Sequence, residues 1–177
     1  MYKKFRLFIL IIILSIILAS VFGFLHNQIS FTISDEYFTK FKFKQFGFED
    51  YGMTSSRLYS GLIGIVSSWW VGLIIALFHG TIPFFLFSYK DMWKYAKGAI
   101  LRNLGITFLF SILGILFGIY HVSYYPKNSY DIPLPLKSEE RFFIAGMMHN
   151  FSYIGGVVGL LCGVYYQFKR QSFLSKK

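Results

Sequence analysis

Histidine and carboxylate side chains are the groups in this sequence best suited to metal binding or to proton transfer. Of the four histidines, His26, His121 and His149 stand at corresponding ends of apolar segments, and Glu36 follows shortly after His26. Three neutral imidazoles and one carboxylate are a suitable ligand set for zinc, iron or copper, and a pair of histidines can ligate haem between helices. The same groups transfer protons near neutral pH. These four residues are therefore the predicted metal site.

A purely structural role for the same histidines stays open. None of them belongs to a motif with fixed ligand spacing, such as two histidines one helical turn apart. In a membrane helix, an imidazole also forms hydrogen bonds that merely join it to a neighbouring helix. A metal or proton-transfer site is favoured over a structural role only if separate helices bring the three imidazole rings to one place.

The elements that must position these residues are four apolar segments. Hydrophobic residues make up 55% of the 177 residues and charged residues only 15%, which is too apolar a composition for a soluble domain. Residues 7–25, 58–87, 103–120 and 142–168 are each long enough to cross a bilayer, and none contains Asp, Glu, Lys or Arg. We therefore predict an all-α membrane protein of one domain, a four-transmembrane-helix bundle, in which the first segment is an anchor and not a cleaved signal peptide.

Basic residues predict the orientation of these segments. With both termini in the cytoplasm (N-in/C-in), the whole net charge of +10 falls on the cytoplasmic side, where lysines and arginines are retained. The predicted counter-charge is a lipid bilayer with anionic headgroups, and nucleic acid is not implied.

Small residues predict the sides on which the helices meet, because close packing of small side chains drives helix association in lipid. At 100° per residue, glycines form one stripe on each of three segments. His79 and Ser68 lie on the stripe of the second segment as intramembrane polar residues. The predicted packing glycines are Gly61, Gly64, Gly72, Gly114, Gly118, Gly155, Gly159 and Gly163.

The connections are predicted as outer loops 26–57 and 121–141 and an inner loop 88–102. Within the first outer loop, residues 34–47 have the composition of a short interfacial helix. Ser34 can cap its beginning, acidic residues precede basic ones, and Gly47 can end it. Its many phenylalanines favour a position on the membrane surface or across the outer end of the bundle.

Three stretches, 26–28, 34–47 and 149–156, resemble an uncharacterised family of small multi-pass bacterial membrane proteins. The resemblance implies a bacterial cytoplasmic (inner) membrane and no particular activity. From the residues, three functions remain open. A non-catalytic membrane subunit or scaffold, with a membrane protein partner or as a homo-oligomer, is favoured; a metal- or haem-binding protein and a small transporter are the alternatives.

Overall fold

A computed structural model describes residues 1–48, 56–127, 132 and 135–174 of the chain. The described residues form helices and no strand. The elements in chain order are α1 (Tyr2–Ile33), a π-helical turn (Tyr37–Lys42), α2 (Phe43–Gln45), α3 (Ser56–Leu86), α4 (Tyr89–Tyr124) and α5 (Glu139–Leu174). The predicted all-helical class is confirmed. The four long helices are each long and apolar enough to cross a membrane.

The four long helices exceed the predicted spans. They contain 31 to 36 residues, which is about 46 to 54 Å at 1.5 Å per residue, whereas hydrocarbon is about 30 Å thick. Parts of each helix must therefore lie outside the hydrocarbon of any bilayer that they cross, even when the helix is tilted.

The inner connection differs from the prediction. Residues 88–102 were expected to form a loop, but α4 already begins at Tyr89, so that only Phe87 and Ser88 separate it from α3. The Ser88 hydroxyl accepts a hydrogen bond from the Asp91 amide at 3.3 Å and donates one to the Asp91 carboxylate at 2.6 Å. This capping supplies a hydrogen-bond acceptor for a backbone N–H group of the first turn. The helix α4 therefore begins before the basic stretch and includes it.

Glycines bring the helices together in two close pairs, α1 with α3 and α4 with α5. The predicted glycines are all at contacts with another helix. A Cβ atom added to Gly72 would lie 2.5 Å from the Ser15 carbonyl oxygen, and one added to Gly114 would lie 2.5 Å from that of Met147. The others in close contact are Gly61, Gly64, Gly118, Gly155, Gly159 and Gly163. Helix backbones approach each other so closely only where a side chain is missing.

Large apolar side chains lie mainly on the outside of the described helices, whereas the interior holds small and polar ones. Leu161, Val157 and Trp70 are exposed, but Ser15, Asn103 and Gln167 are buried. Apolar clusters occupy the two ends. Tyr37, Phe38 and Phe142 belong to the cluster at one end, which we call the cap end. Ile11, Ala76, Met92 and Ala96 belong to the other, which we call the basic end.

Pro83 lies inside α3 and changes the hydrogen bonding at the basic end. Proline has no N–H, so the carbonyl of His79, four residues earlier, loses its usual donor within the helix. The side-chain amide of Gln167 on α5 donates to that carbonyl at 2.8 Å and reaches the Tyr95 carbonyl of α4 at 3.4 Å. Gln167 therefore joins three helices at a backbone group that the proline leaves free.

We expect the cost of losing Gln167 to depend on Pro83. Replacing Gln167 by Met should lower the free energy of unfolding by about 1 kcal/mol, because a buried carbonyl is left without a donor. In a Pro83→Ala background the backbone gains an N–H at position 83 that can donate to the His79 carbonyl, so the same replacement should cost about half as much or less. Denaturation of the wild type, the two single variants and the double variant in detergent measures the coupling between positions 83 and 167. If the two changes in the free energy of unfolding are additive, the prediction is contradicted.

Candidate functional site

The structure brings two of the predicted histidines together at the cap end. His26 on α1 and His149 on α5 are both buried, and their ring centroids lie 4.6 Å apart in an edge-to-face arrangement. Nε2 of His149 lies 3.1 Å from the Ser30 hydroxyl, in a hydrogen bond whose donor depends on the tautomer. Nε2 of His26 is buried without a hydrogen-bond partner. We call these two residues the histidine pair.

Residues 34–48, which we call the cap, cover the histidine pair. The Tyr37 ring stacks on the His149 ring at a centroid distance of 4.9 Å and an angle of 24°. Phe38 is fully buried, with its ring centroid 6.2 Å from that of His149. Burial raises the pKa of the Tyr37 phenol well above its usual range, and the nearby Tyr153 adds to the rise. Tyr37 therefore remains a neutral group over the pair at physiological pH.

Local sequence determines the beginning and end of the cap much as predicted. The Ser34 hydroxyl accepts a hydrogen bond from the Tyr37 amide at 3.2 Å, and Gly47 has a φ of +70°. Glycine adopts this left-handed backbone at low cost. Between them the chain forms a π-helical turn, and not the expected regular helix. Such turns are rare and occur often at functional sites.

Glu36 fastens the cap to the beginning of α5. Its carboxylate is buried and accepts hydrogen bonds from the backbone amides of Lys137, at 2.9 and 3.0 Å, and Ser138, at 3.1 Å. Hydrogen bonds to an ionised group are stronger than neutral ones. The carboxylate therefore connects two segments that lie about 100 residues apart in the chain.

Lys42 is a buried cation within the cap. Its ammonium group donates to the Gln45 side chain at 2.9 Å and lies 5.1 Å from the Phe41 ring centroid. Burial lowers the pKa of Lys42 below its ordinary value of 10.5. The neutral amine is thus favoured more in the closed cap than in the unfolded chain.

This lowered pKa predicts a pH effect on stability. Between the folded pKa and 10.5, the unfolded chain binds the Lys42 proton more tightly, so stability rises with pH in that window. The melting temperature of the wild-type protein should therefore rise relative to that of Lys42→Met as the pH increases through it. The exposed Lys40 supplies the control, since Lys40→Met should leave the pH dependence unchanged. A pH-independent difference between wild type and Lys42→Met would contradict the prediction.

The structure does not group the other two members of the predicted metal site with the histidine pair. His121 stacks with Tyr125 and Phe143, at centroid distances of 4.7 and 5.0 Å. Glu36 binds backbone amides, as described above. Across the described ranges, no three His, Cys, Asp or Glu residues are grouped so as to hold a metal ion. The physical reason is that α4 packs on α5 through its own glycine stripe, where His121 contacts Phe143, whereas His149 contacts His26 of α1 and Tyr37 of the cap.

His79 forms a second buried polar site, at the basic end. It is fully buried, neither of its ring nitrogens has a hydrogen-bond partner, and the side-chain oxygen of Gln167 also lacks one. A Cβ atom added to Gly163 would lie 2.5 Å from Cε1 of the His79 ring, so this glycine makes room for the imidazole. Ser68, which was predicted on the same stripe, reaches the Ala19 carbonyl of α1 at 2.9 Å.

Several residues of these sites were not among the predicted site residues. Tyr37 and Ser30 contact His149, and the Asn27 side chain donates to the Ser60 carbonyl of α3 at 2.9 Å. Gln167 is the one with a usable signal, because a proline inside a helix frees the carbonyl four residues earlier. The signal for the others was weak, since a serine or asparagine near a helix end is ordinarily solvated.

Comparison with protein-family models, with curated proteins and with solved structures finds no match to this chain.

Proposed function

We propose that this chain is a multi-pass protein of a bacterial cytoplasmic membrane, with four spans and both termini in the cytoplasm, that serves as a non-catalytic membrane subunit or scaffold. One observation carries the proposal. Several buried or half-buried polar side chains of the four helices join one helix to another, while most large apolar side chains face outward. Asn27, Ser68 and Gln167 each bond to a backbone carbonyl of a different helix.

Charge supports the proposed orientation. The basic end carries Lys4 and the cations at the beginning of α4 and the end of α5, and among the described residues its only acid is Asp91. Lysine and arginine near the ends of spans are retained on the cytoplasmic side. The cap then faces outward, and its exposed Lys40, Phe41 and Lys44 suit the membrane surface, which is why we propose it as an interfacial helix.

Cysteine labelling in intact cells tests the orientation. In a Cys162→Ala background, Lys40→Cys in the cap should react with a membrane-impermeant maleimide, whereas Lys94→Cys at the basic end should react only after permeabilisation. Both positions are exposed in the fold, so that accessibility to the reagent decides the result. The opposite pattern would overturn the proposed topology.

A shallow apolar groove on the outer face of the α1–α3 pair is where we place the partner. The groove has a volume of about 270 Å³ and is lined by Val21, Phe24 and Ile65, among others. We propose that it receives a transmembrane helix of another protein.

A photo-crosslinking residue at Val21 should give one discrete product in native membranes, and one at the exposed Leu161 of α5 should give none. Equal crosslinking from both positions would overturn the subunit proposal. A product of twice the chain mass would show that the helix in the groove belongs to a second copy of this chain and not to another protein.

The unpartnered polar atoms favour a second candidate function, which is proton transport through the interior. His26 at the cap end, Ser15 in α1, and His79 with Gln167 at the basic end all have buried polar atoms without partners. Imidazoles accept and release protons near neutral pH, and ionisable groups inside membrane helices mark such paths. Vesicles containing the protein should then dissipate an imposed pH gradient faster than empty vesicles, and His79→Phe should abolish the difference. Equal rates with and without the protein would exclude this candidate.

A further inference from the structure

Three cations converge on one groove at the basic end. Arg102 of α4 lies with Cζ 3.7 Å from the ring centroid of Tyr166, and Arg170 of α5 approaches the same ring at 5.6 Å. Lys169 lies 5.8 Å from the Tyr165 ring centroid. Together with Cys162, Ser172 and Phe173, these residues line a groove between α4 and α5 with a volume of about 590 Å³.

Among the described residues, no carboxylate balances the charges of this groove. Arg102 donates to the Gly98 carbonyl at 2.7 Å, but in the part of the chain that the structure describes no carboxylate pairs with Arg102, Lys169 or Arg170. Asp91, the acid of this end, accepts a hydrogen bond from Ser88. Three neighbouring cations repel one another, so binding an anion among them is favourable.

The groove is preformed by a close contact between the two helices. A Cβ atom added to Gly98 would lie 2.9 Å from the Tyr166 hydroxyl oxygen, so the tyrosine packs directly on the α4 backbone. Its ring lies close to both guanidinium groups, and the hydrogen bond to the Gly98 carbonyl also holds Arg102 in place. Side chains that are already in place lose less conformational entropy when a ligand binds.

The position of the groove identifies the ligand. Arg102 directly precedes an apolar segment of α4, and Lys169 and Arg170 directly follow that of α5. All three cations therefore lie where hydrocarbon would give way to headgroups. Guanidinium groups match phosphate oxygens in geometry, and basic pockets between membrane helices bind multiply charged headgroups. The apolar lining from Phe173 and the tyrosines can contact the glycerol and upper acyl carbons.

We propose that this groove is a binding site for a phospholipid whose headgroup carries two phosphates. The inference rests on the proposed membrane embedding but not on the proposed subunit role. Arg102 and Arg170, which both lie close to the Tyr166 ring, bind the phosphates, and Lys169 neutralises the remaining charge.

Native mass spectrometry of the protein purified in mild detergent tests the site. With added cardiolipin as the diphosphate lipid, we expect at least about tenfold tighter binding than with phosphatidylcholine. The double variant Arg102→Gln/Arg170→Gln should lose this preference. Lys94→Gln/Lys97→Gln removes the same charge from exposed positions of the same end but outside the groove, and it should retain the preference.

Three results would overturn the proposal. The first is an equal loss of the preference in both double variants, which would indicate attraction to the basic end as a whole. The second is equal binding of cardiolipin and phosphatidylcholine to the wild type. The third is complete displacement of cardiolipin by inorganic pyrophosphate at equal concentration, which would make the ligand a free phosphate anion. None of these results depends on the cysteine-labelling pattern that tests membrane embedding. A melting curve of each variant checks that it folds.

Discussion

Replacing Gly64 by Leu should prevent α1 and α3 from packing. In the folded chain a Cβ atom at Gly64 would overlap the backbone carbonyl of Gly23, and a Cβ atom at Gly23 would overlap that of Gly64. Neither backbone can move without separating the helices along their length, because Gly72 and Ser15 make a similar contact further along the same pair. We expect a loss of about 3 kcal/mol or more in the free energy of unfolding, at the upper end of overpacking effects.

Gly105 provides a matched control within the same molecule. It lies inside α4, and nothing lies within 4 Å of the position that its Cβ atom would occupy. Gly105→Leu should therefore leave stability unchanged or raise it by about 0.5 kcal/mol, because leucine favours a helix more than glycine does. Thermal unfolding and size-exclusion chromatography in detergent compare the two variants. Similar melting temperatures for both would contradict the close packing of α1 on α3.

Replacing Glu36 by Ala should release the cap from the histidine pair. The change removes hydrogen bonds from two backbone amides to a buried carboxylate and leaves those amides without a partner. We expect closure of the cap to weaken by about 2 kcal/mol, which corresponds to roughly 30-fold faster hydrogen exchange where the exchange rate follows the opening equilibrium. Hydrogen exchange of residues 37–46, followed by mass spectrometry, measures this directly.

Asp35→Ala is the control for the loss of a negative charge next to Glu36. The Asp35 side chain is exposed, whereas that of Glu36 is buried. Its removal should alter exchange in the cap only slightly, through the weak interaction of an exposed charge with the helix terminus. Equal acceleration in both variants would show that charge, and not the bond to the beginning of α5, holds the cap closed.

The closed cap distinguishes the two ends of the molecule functionally. At the cap end, Tyr37 and Phe38 pack against His149 of the buried histidine pair, whereas at the basic end Arg102 and Arg170 are exposed. Opening of the cap would therefore control access to the histidine pair in the proton-transport candidate. It should have no effect on lipid binding at the groove, because the groove lies at the opposite end of the same helices.

Elements and helix faces were largely readable from the amino-acid sequence. Apolar length predicted four long helices, and glycine spacing predicted the faces that are in contact, because both depend on the regular geometry of a single helix. Local chemistry also predicted the beginning of the cap at Ser34 and its end at Gly47. The inner connection was predicted as a loop over residues 88–102, but capping by Ser88 and Asp91 starts α4 at Tyr89. Membrane orientation and function remain predictions.

Only the tertiary structure decided which residues share a site. Periodicity gives the direction in which a side chain points from its own helix, but not which helix lies in that direction. His26, His121 and His149 were all expected to point inward at similar depth, yet the pairing of α4 with α5 places His121 among Tyr125 and Phe143, while His26 meets His149. That pairing depends on the combined fit of many small residues along two helices, a property that no single residue or spacing carries.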